Sequence, residues 1–160
     1  MERDEEGKGF EKLIVWQNAA ELRRKVYQIT KRFAYIEVRR VSQMRDAARS
    51  VKQNIQEGYH RSSLGEYIHS LGISKASLKE LSGDIDDCFE DELISQEEFK
   101  DLDSLCKRTS YLFDRLLTAL YKKKEAGTWK TRRSSKLLLI SLSFLLLPFS
   151  SFFFQTQERL

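Results

Sequence analysis

Four stretches of the chain carry apolar or small residues at the period of an α-helix, and in three of them the steps alternate between three and four positions. One stretch carries Val41, Met44, Ala48, Val51 and Ile55 in this pattern. No internal repeat of 20 to 50 residues relates the stretches to one another. The pattern predicts an all-α chain whose helices span about 11–34, 37–57, 63–91 and 95–124.

Start and stop signals separate these helices. Ser63 with Glu66, and Ser95 with Glu98, have the spacing of a capping box, and Gly58 can adopt the left-handed conformation that closes a helix. The other apolar stripes are Trp16, Ala19, Val26, Ile29 and Phe33; Leu71, Ser74, Leu78, Leu81, Ile85 and Cys88; and Phe99, Leu102, Cys106, Thr109, Phe113, Leu116 and Leu120. Short connections between helices of this length predict an up-down four-helix bundle.

The composition excludes other classes of protein. One proline and seven glycines in 160 residues are too few chain breakers for an all-β sandwich or barrel. Cys88 and Cys106 lie on apolar stripes, so we expect buried thiols in a reducing compartment and a cytoplasmic protein. Residues 1–9 lack the apolar segment of a secretion signal, and we expect a flexible N-terminus ahead of a bundle domain at 10–125.

The segment 126–160 differs from the rest of the chain. A basic linker, 128–136, precedes 18 uncharged residues at 137–154, a marginal length for a membrane span. All of these 18 residues except Ile140 can be encoded by pyrimidine-only codons, so a frame-shifted pyrimidine tract would also produce such a segment. A membrane anchor and an incidental low-complexity tail are both open, and we favour the tail.

Charge is distributed unevenly along the chain. Residues 10–61 contain twelve Lys or Arg and five acids, whereas residues 82–103 contain ten acids and only Lys100. This asymmetry suits either a polyanion bound to the basic half or an acidic corner of one subunit that meets the basic face of another.

Motifs for catalysis are lacking. No phosphate-binding glycine loop, nucleophile elbow or zinc-protease helix is present. Glu66 and His69 form one Glu-x-x-His pair, but a di-iron bundle needs a second pair and two more inward Glu residues. We therefore expect no metal site, no cofactor and no enzyme activity.

The second helix carries two further stripes beside its apolar seam. Gln43, Ala47, Ser50, Asn54 and Glu57 form a stripe whose small middle residues would allow another helix to approach closely. We predict that Asn54 and Glu57 are at least half buried and hydrogen-bonded. Arg45, Arg49 and Lys52 form a basic row that suits a phosphate backbone, with a solvated helix face as the alternative.

The sequence resembles the bacterial 23S rRNA intervening-sequence proteins, also called four-helix bundle proteins, over about residues 10–124. The resemblance is carried, in order, by Leu13 to Gln17, Val26 to Thr30 with Phe33, Gln43 to Arg45 with Ala47, Ala48 and Ser50, Asn54 to Gly58 with Arg61, and Ser77 to Leu81. Two departures are Ala34, where the family usually has Pro, and Gln56, where Ala is common. We expect the first either to lengthen the first helix or to loosen its end, and neither to change the fold.

The resemblance implies a self-associating, ring-like oligomer, typically a pentamer, with a basic surface. A relative, the accessory variability determinant protein of diversity-generating retroelements, works with a reverse transcriptase and nucleic acid. The resemblance transfers no catalytic residues. The residues that we single out from the family motifs are Trp16, Gln43, Ser50, Asn54, Glu57, Gly58, Ser77 and Glu80.

Two hypotheses follow for the function. The first is a non-enzymatic, oligomeric nucleic-acid-binding accessory protein whose phosphate contacts are Arg23, Arg24, Arg39, Arg40, Arg45, Arg49, Lys52 and Arg61. The alternative is a protein-protein interaction scaffold in which these arginines pair with the acidic segment of a neighbouring subunit.

Overall fold

Four α-helices dominate the part of the chain that the computed structural model describes, residues 5–129. They are α1 (Ile14–Thr30), α2 (Val38–Tyr59), α3 (Leu64–Glu90) and α4 (Gln96–Glu125), with short 3₁₀ segments at Glu5–Lys12 and Tyr35–Glu37. Each helix packs against the next one along the chain, and α1 also packs against α4. This confirms the predicted all-α four-helix bundle.

The four apolar stripes meet in one core, except that Val41, the first residue of the α2 stripe, is only partly buried and lies outside this core. Every stripe residue predicted for α3 is buried, and Phe113 of α4 is the largest of the fully buried side chains. Trp16, Ile29, Phe33, Phe99 and Leu116 are partly buried and pack against this core. The three- and four-residue spacing therefore identified the inward face of each helix correctly.

The first helix is shorter than predicted at both ends. Residues Glu5–Lys12 form a 3₁₀ segment, which begins inside the stretch predicted to be a flexible N-terminus, and α1 runs only from Ile14 to Thr30. At the other end Ala34 is extended, at φ −62° and ψ 157°. The chain must leave the helix there because α2 starts at Val38 and packs back against α1. Ala34 therefore does not lengthen the helix.

Gly58 does not close α2 as predicted. The helix continues to Tyr59, and Gly58 lies buried within its last turn without a positive φ. A Cβ at this position would lie 2.7 Å from Cβ of Ser70 and 3.0 Å from Cδ2 of Tyr67 on α3. Glycine is required here because α2 and α3 approach too closely for a side chain.

Both predicted capping boxes are present. Oγ of Ser63 accepts the backbone N–H of Glu66 at 3.1 Å, and Oγ of Ser95 accepts that of Glu98 at 3.2 Å. In each case the Glu carboxylate accepts the backbone N–H of the serine in return. Because these bonds satisfy donors that a helix start leaves open, α3 and α4 begin within one residue of the predicted positions.

The end of α3 carries the one non-glycine residue of the described chain with a positive φ, Glu92 at 58°. The backbone N–H of Leu93 donates to the carbonyl of Cys88, and that of Glu92 donates to the carbonyl of Phe89, which is a Schellman motif. Glycine adopts this conformation without steric cost. We expect Glu92→Gly to raise the free energy of unfolding by about 1 kcal/mol in urea denaturation. Glu80→Gly, in the body of the same helix, should lower it by a similar amount.

Candidate nucleic-acid interface

Two guanidinium groups meet at one tyrosine on the face that α1 and α2 share. Cζ of Arg23 lies 4.8 Å from the ring centroid of Tyr27, and Cζ of Arg45 lies 4.7 Å from the same centroid. Nε of Arg45 also donates to Oγ1 of Thr30 at 2.9 Å. Arg23, Tyr27 and Arg45 are all partly buried. The tyrosine ring therefore positions both arginines, and the threonine positions Arg45 as well.

A third cation on this face lies over an indole ring. Nζ of Lys52 is 5.0 Å from the ring centroid of Trp16, and Phe10 of the N-terminal 3₁₀ segment contacts the same indole edge-to-face at 5.2 Å. Nε1 of Trp16 is buried and has no hydrogen-bond partner among the described residues. Trp16, which the sequence singled out as a family-motif residue, therefore positions one of the predicted phosphate contacts.

The other predicted contacts differ in their surroundings. Arg24, Arg39 and Arg61 are exposed, and within residues 5–129 none of their side chains forms an ion pair or hydrogen bond. Arg49 is exposed and lies 3.4 Å from Asp46, one turn earlier on α2. The predicted row of Arg45, Arg49 and Lys52 is thus divided, because its two ends are partly buried on aromatic rings and its middle is solvated.

Arg40 is directed to the acidic corner of its own chain. Its NH1 donates to Asp91 at 2.6 Å, and its Nε lies 3.3 Å from Glu37. Lys25 and Arg32 do the same at α4, with Asp101 at 2.6 Å and Glu98 at 2.5 Å. The acidic segment 82–103 is therefore partly neutralised by Lys25 of α1, Arg40 of α2 and Arg32 of the connection between these helices. Sequence spacing shows no sign of these pairs because 51 to 76 residues separate their members.

The pair between Arg32 and Glu98 should make stability depend on pH. The Arg32 guanidinium, opposed by partial burial and aided by the hydrogen bonds of Ser95, lowers the pKa of Glu98 from 4.5 to about 2. A lowered carboxyl pKa stabilises the fold fully above pH 4.5, and this contribution disappears as the pH falls towards 2. We expect wild type to exceed Glu98→Gln in free energy of unfolding by up to about 1 kcal/mol at pH 7. The difference should decline below pH 4.5 and disappear as the pH falls through about 2 in a denaturation series, and a constant difference would refute the pairing.

The predicted polar stripe of α2 faces α3. Oγ of Ser50 and Oγ of Ser77 are 2.8 Å apart, and Nδ2 of Asn54 donates to the carbonyl and to Oγ of Ser50, at 2.9 and 3.0 Å. Gln43 donates to Asp84 at 3.3 Å, where burial, with some repulsion from Glu80, raises the pKa of the carboxyl. Ala47 is buried between these polar groups. This part of the prediction is confirmed.

The prediction for Glu57 is wrong. Glu57 is exposed, as is Glu80, and neither side chain forms a hydrogen bond or ion pair with the rest of the described chain. A stripe spaced at 3.5 residues drifts by about 20° per seven residues around a helix of 3.6 residues per turn. Over the 14 positions from Gln43 to Glu57 the drift carries the stripe off the contact, and Gly58 packs against α3 instead.

Asn54 is partly buried and bonded to Ser50, so its loss should be measurable. We expect Asn54→Ala to reduce the free energy of unfolding by about 1 kcal/mol, because Ser50 loses a donor at the α2–α3 contact. Gln53→Ala, at the exposed neighbouring position, is the matched control and should change it by less than about 0.5 kcal/mol. Identical melting of Asn54→Ala and wild type would rule out a stabilising role for this bond.

The remaining candidates for chemistry are the two cysteines and the Glu66–His69 pair. Cys88 and Cys106 are buried as predicted, and burial raises the pKa of both thiols, that of Cys106 to about 12. Both thiols therefore remain protonated at neutral pH. The carboxylate of Glu66 is used in the α3 capping box, and His69 is exposed. Within residues 5–129 no group of three or more His, Cys, Asp or Glu side chains is arranged to hold a metal ion.

Both α1 and α2 lie within the residues that match a known protein family. The family described as 23S rRNA-intervening sequence protein matches residues 11–114, about two thirds of the chain. The chain belongs to this family. The matched segment contains every predicted phosphate contact and the whole α2–α3 polar stripe.

A search of curated proteins found no match to this member of the 23S rRNA-intervening sequence family. None of the helices within residues 5–129 is long and apolar enough to cross a membrane. The predicted alternatives for 137–154 lie outside the described residues. Trp129, the last described residue, packs against the bundle, with its ring 6.2 Å from that of Tyr67.

One residue at the centre of this face had no role in the sequence interpretation. Tyr27 was only part of a family motif, yet it contacts both Arg23 and Arg45. Its contact with Arg23 has a signal in the sequence, because residues four apart are neighbours on a helix. Its contact with Arg45 has none, because it depends on how α1 and α2 pack.

Proposed function

We propose that the protein is a non-enzymatic, oligomeric, cytoplasmic accessory protein that binds RNA or DNA through the face shared by α1 and α2. The observation that carries the proposal is that three cations on this face form no ion pair. Arg23, Arg45 and Lys52 lie on aromatic rings and have no carboxylate within 4.0 Å in the described chain. Arginines and lysines without an internal counter-charge are available to phosphate groups.

The ion pairs at the acidic corner support this proposal over the protein scaffold. In the scaffold, arginines of one subunit pair with residues 82–103 of its neighbour. Arg40 is already engaged with Asp91 of its own chain, and Arg32 with Glu98. Arg23, Arg45 and Lys52 on α1 and α2 form no ion pair in the described chain, so the basic face keeps these charges while part of the acidic corner is compensated.

We propose contacts to the nucleic-acid backbone with little sequence preference. Arg45, Arg49 and Lys52 span about 10 Å at 1.5 Å per residue, and side chains in such a row meet phosphates rather than base edges. In a ring of subunits, a pentamer by family analogy, each copy repeats the row, and weak contacts add up. A reverse transcriptase is a candidate partner by the same analogy.

The test is binding of fluorescein-labelled RNA, measured by fluorescence anisotropy across a salt titration, with the oligomeric state measured in parallel by light scattering. We expect binding at low salt that falls steeply as salt rises, because each neutralised phosphate releases a counterion. Similar affinities for two unrelated sequences would fit backbone recognition. No binding of RNA or DNA at ~0.05 M salt would reject this function and leave the scaffold as the better account.

A further inference from the structure

The cluster of Arg23, Tyr27 and Arg45 brings two positive charges together without a negative one. Both Cζ atoms lie less than 5 Å from one ring centroid, so the two guanidinium groups are less than about 10 Å apart, within one Debye length at ~0.1 M salt. No Asp or Glu of residues 5–129 forms an ion pair with either arginine. No ion pair in this part of the chain offsets their mutual repulsion, and the tyrosine ring is the group that contacts both guanidinium groups.

The threonine at the end of α1 fixes one of these groups. Oγ1 of Thr30 donates to the carbonyl of Val26 at 2.8 Å and accepts Nε–H of Arg45 at 2.9 Å, and Thr30 itself is buried. The four N–H bonds on the two terminal nitrogens of Arg45 have no partner in the described chain. Two adjacent N–H donors on a fixed planar group match two oxygens of a phosphate.

We infer that Arg23, Tyr27 and Arg45 form a discrete phosphate-binding site, in which both guanidinium groups donate to one phosphate and Tyr27 is the positioning residue. The inference rests on the proposed function, since this phosphate would belong to the bound nucleic acid. It adds that the site depends on arginine geometry and on an aromatic ring, and not on charge alone. Fixing the donors before binding reduces the conformational entropy lost when the phosphate arrives.

The first test uses inorganic phosphate and needs no nucleic acid. Phosphate is titrated against chloride at constant ionic strength while the Nε–Hε NMR signals of the arginines are followed. We expect the Arg23 and Arg45 signals to shift in a saturable manner and the Arg115 signal to stay unchanged. Arg115 is the matched control because it also lies over a tyrosine four residues away, with Cζ 5.9 Å from the Tyr111 centroid on α4. Equal, non-saturating shifts at all three arginines would overturn the inference, whether or not RNA binds.

The second test keeps the charge constant and measures RNA affinity. We expect Arg23→Lys with Arg45→Lys to weaken binding about fivefold or more with the salt slope unchanged, because lysine offers a point charge and no planar pair of donors. Tyr27→Leu should weaken binding several-fold and Tyr27→Phe should not, since Phe keeps the π face. Arg115→Lys and Tyr111→Leu should have no effect. Wild-type affinity in both Tyr27→Leu and the double lysine variant would overturn the site and leave a non-specific basic face.

Discussion

Reversal of charge along α2, in the triple variant Arg45→Glu, Arg49→Glu and Lys52→Glu, is expected to weaken RNA binding by well over tenfold at ~0.1 M salt. Each substitution removes one phosphate contact and introduces a charge that repels the backbone. The loss of three contacts should also reduce the steepness of the plot of log affinity against log salt, by about one unit of slope for each contact. Circular dichroism should show unchanged helix content, because all three side chains lie on the surface side of α2 rather than in the core.

A matched variant separates a specific face from total charge. Lys107→Glu, Arg108→Glu and Arg115→Glu change the net charge by the same amount on exposed positions of α4. We expect this variant to lose only a small part of the affinity, through long-range repulsion that salt screens. If both triple variants lose affinity equally, the protein attracts nucleic acid by net charge and the α1–α2 face has no special part.

The largest effect on stability is expected from Phe113→Ala on α4. The Phe113 ring is fully buried in the core that all four helices share. Its removal should lower the free energy of unfolding by about 3 to 5 kcal/mol, because the lost burial adds to the cost of a cavity. A domain of this size has a total stability of about 5 to 15 kcal/mol, so urea denaturation should show a midpoint shifted to much lower denaturant.

Tyr111→Ala is the control for that experiment. Tyr111 is an aromatic residue two positions away on the same helix, but 58% of its surface is exposed. Its substitution should change the free energy of unfolding by no more than about 1 kcal/mol. A small effect of Phe113→Ala, close to that of Tyr111→Ala, would mean that the core repacks around the missing ring or that Phe113 does not lie where the fold places it.

The sequence predicted α3 and α4 more closely than α1 and α2. Ser63 and Ser95 each form a capping box with a residue three positions later, and a bond of that range is visible in the order of residues. The predicted end of α2 was wrong because Gly58 is needed for the close approach of Ser70 on α3 and does not close the helix. A glycine near a helix end has the same appearance in a sequence whether it closes the helix or allows a neighbour to approach.

The candidate site divides in the same way. The basic character of α1 and α2 follows from counting charges, and the inward stripes follow from a period of 3.6 residues, so local order is enough for both. Local order in the sequence does not show which of these cations form ion pairs with carboxylates. Arg40 pairs with Asp91 while Arg45 lies on Tyr27, although both arginines belong to the same basic stretch. Ion pairs and ring contacts need groups within a few ångströms, and in a bundle that distance depends on the rotation and packing of neighbouring helices.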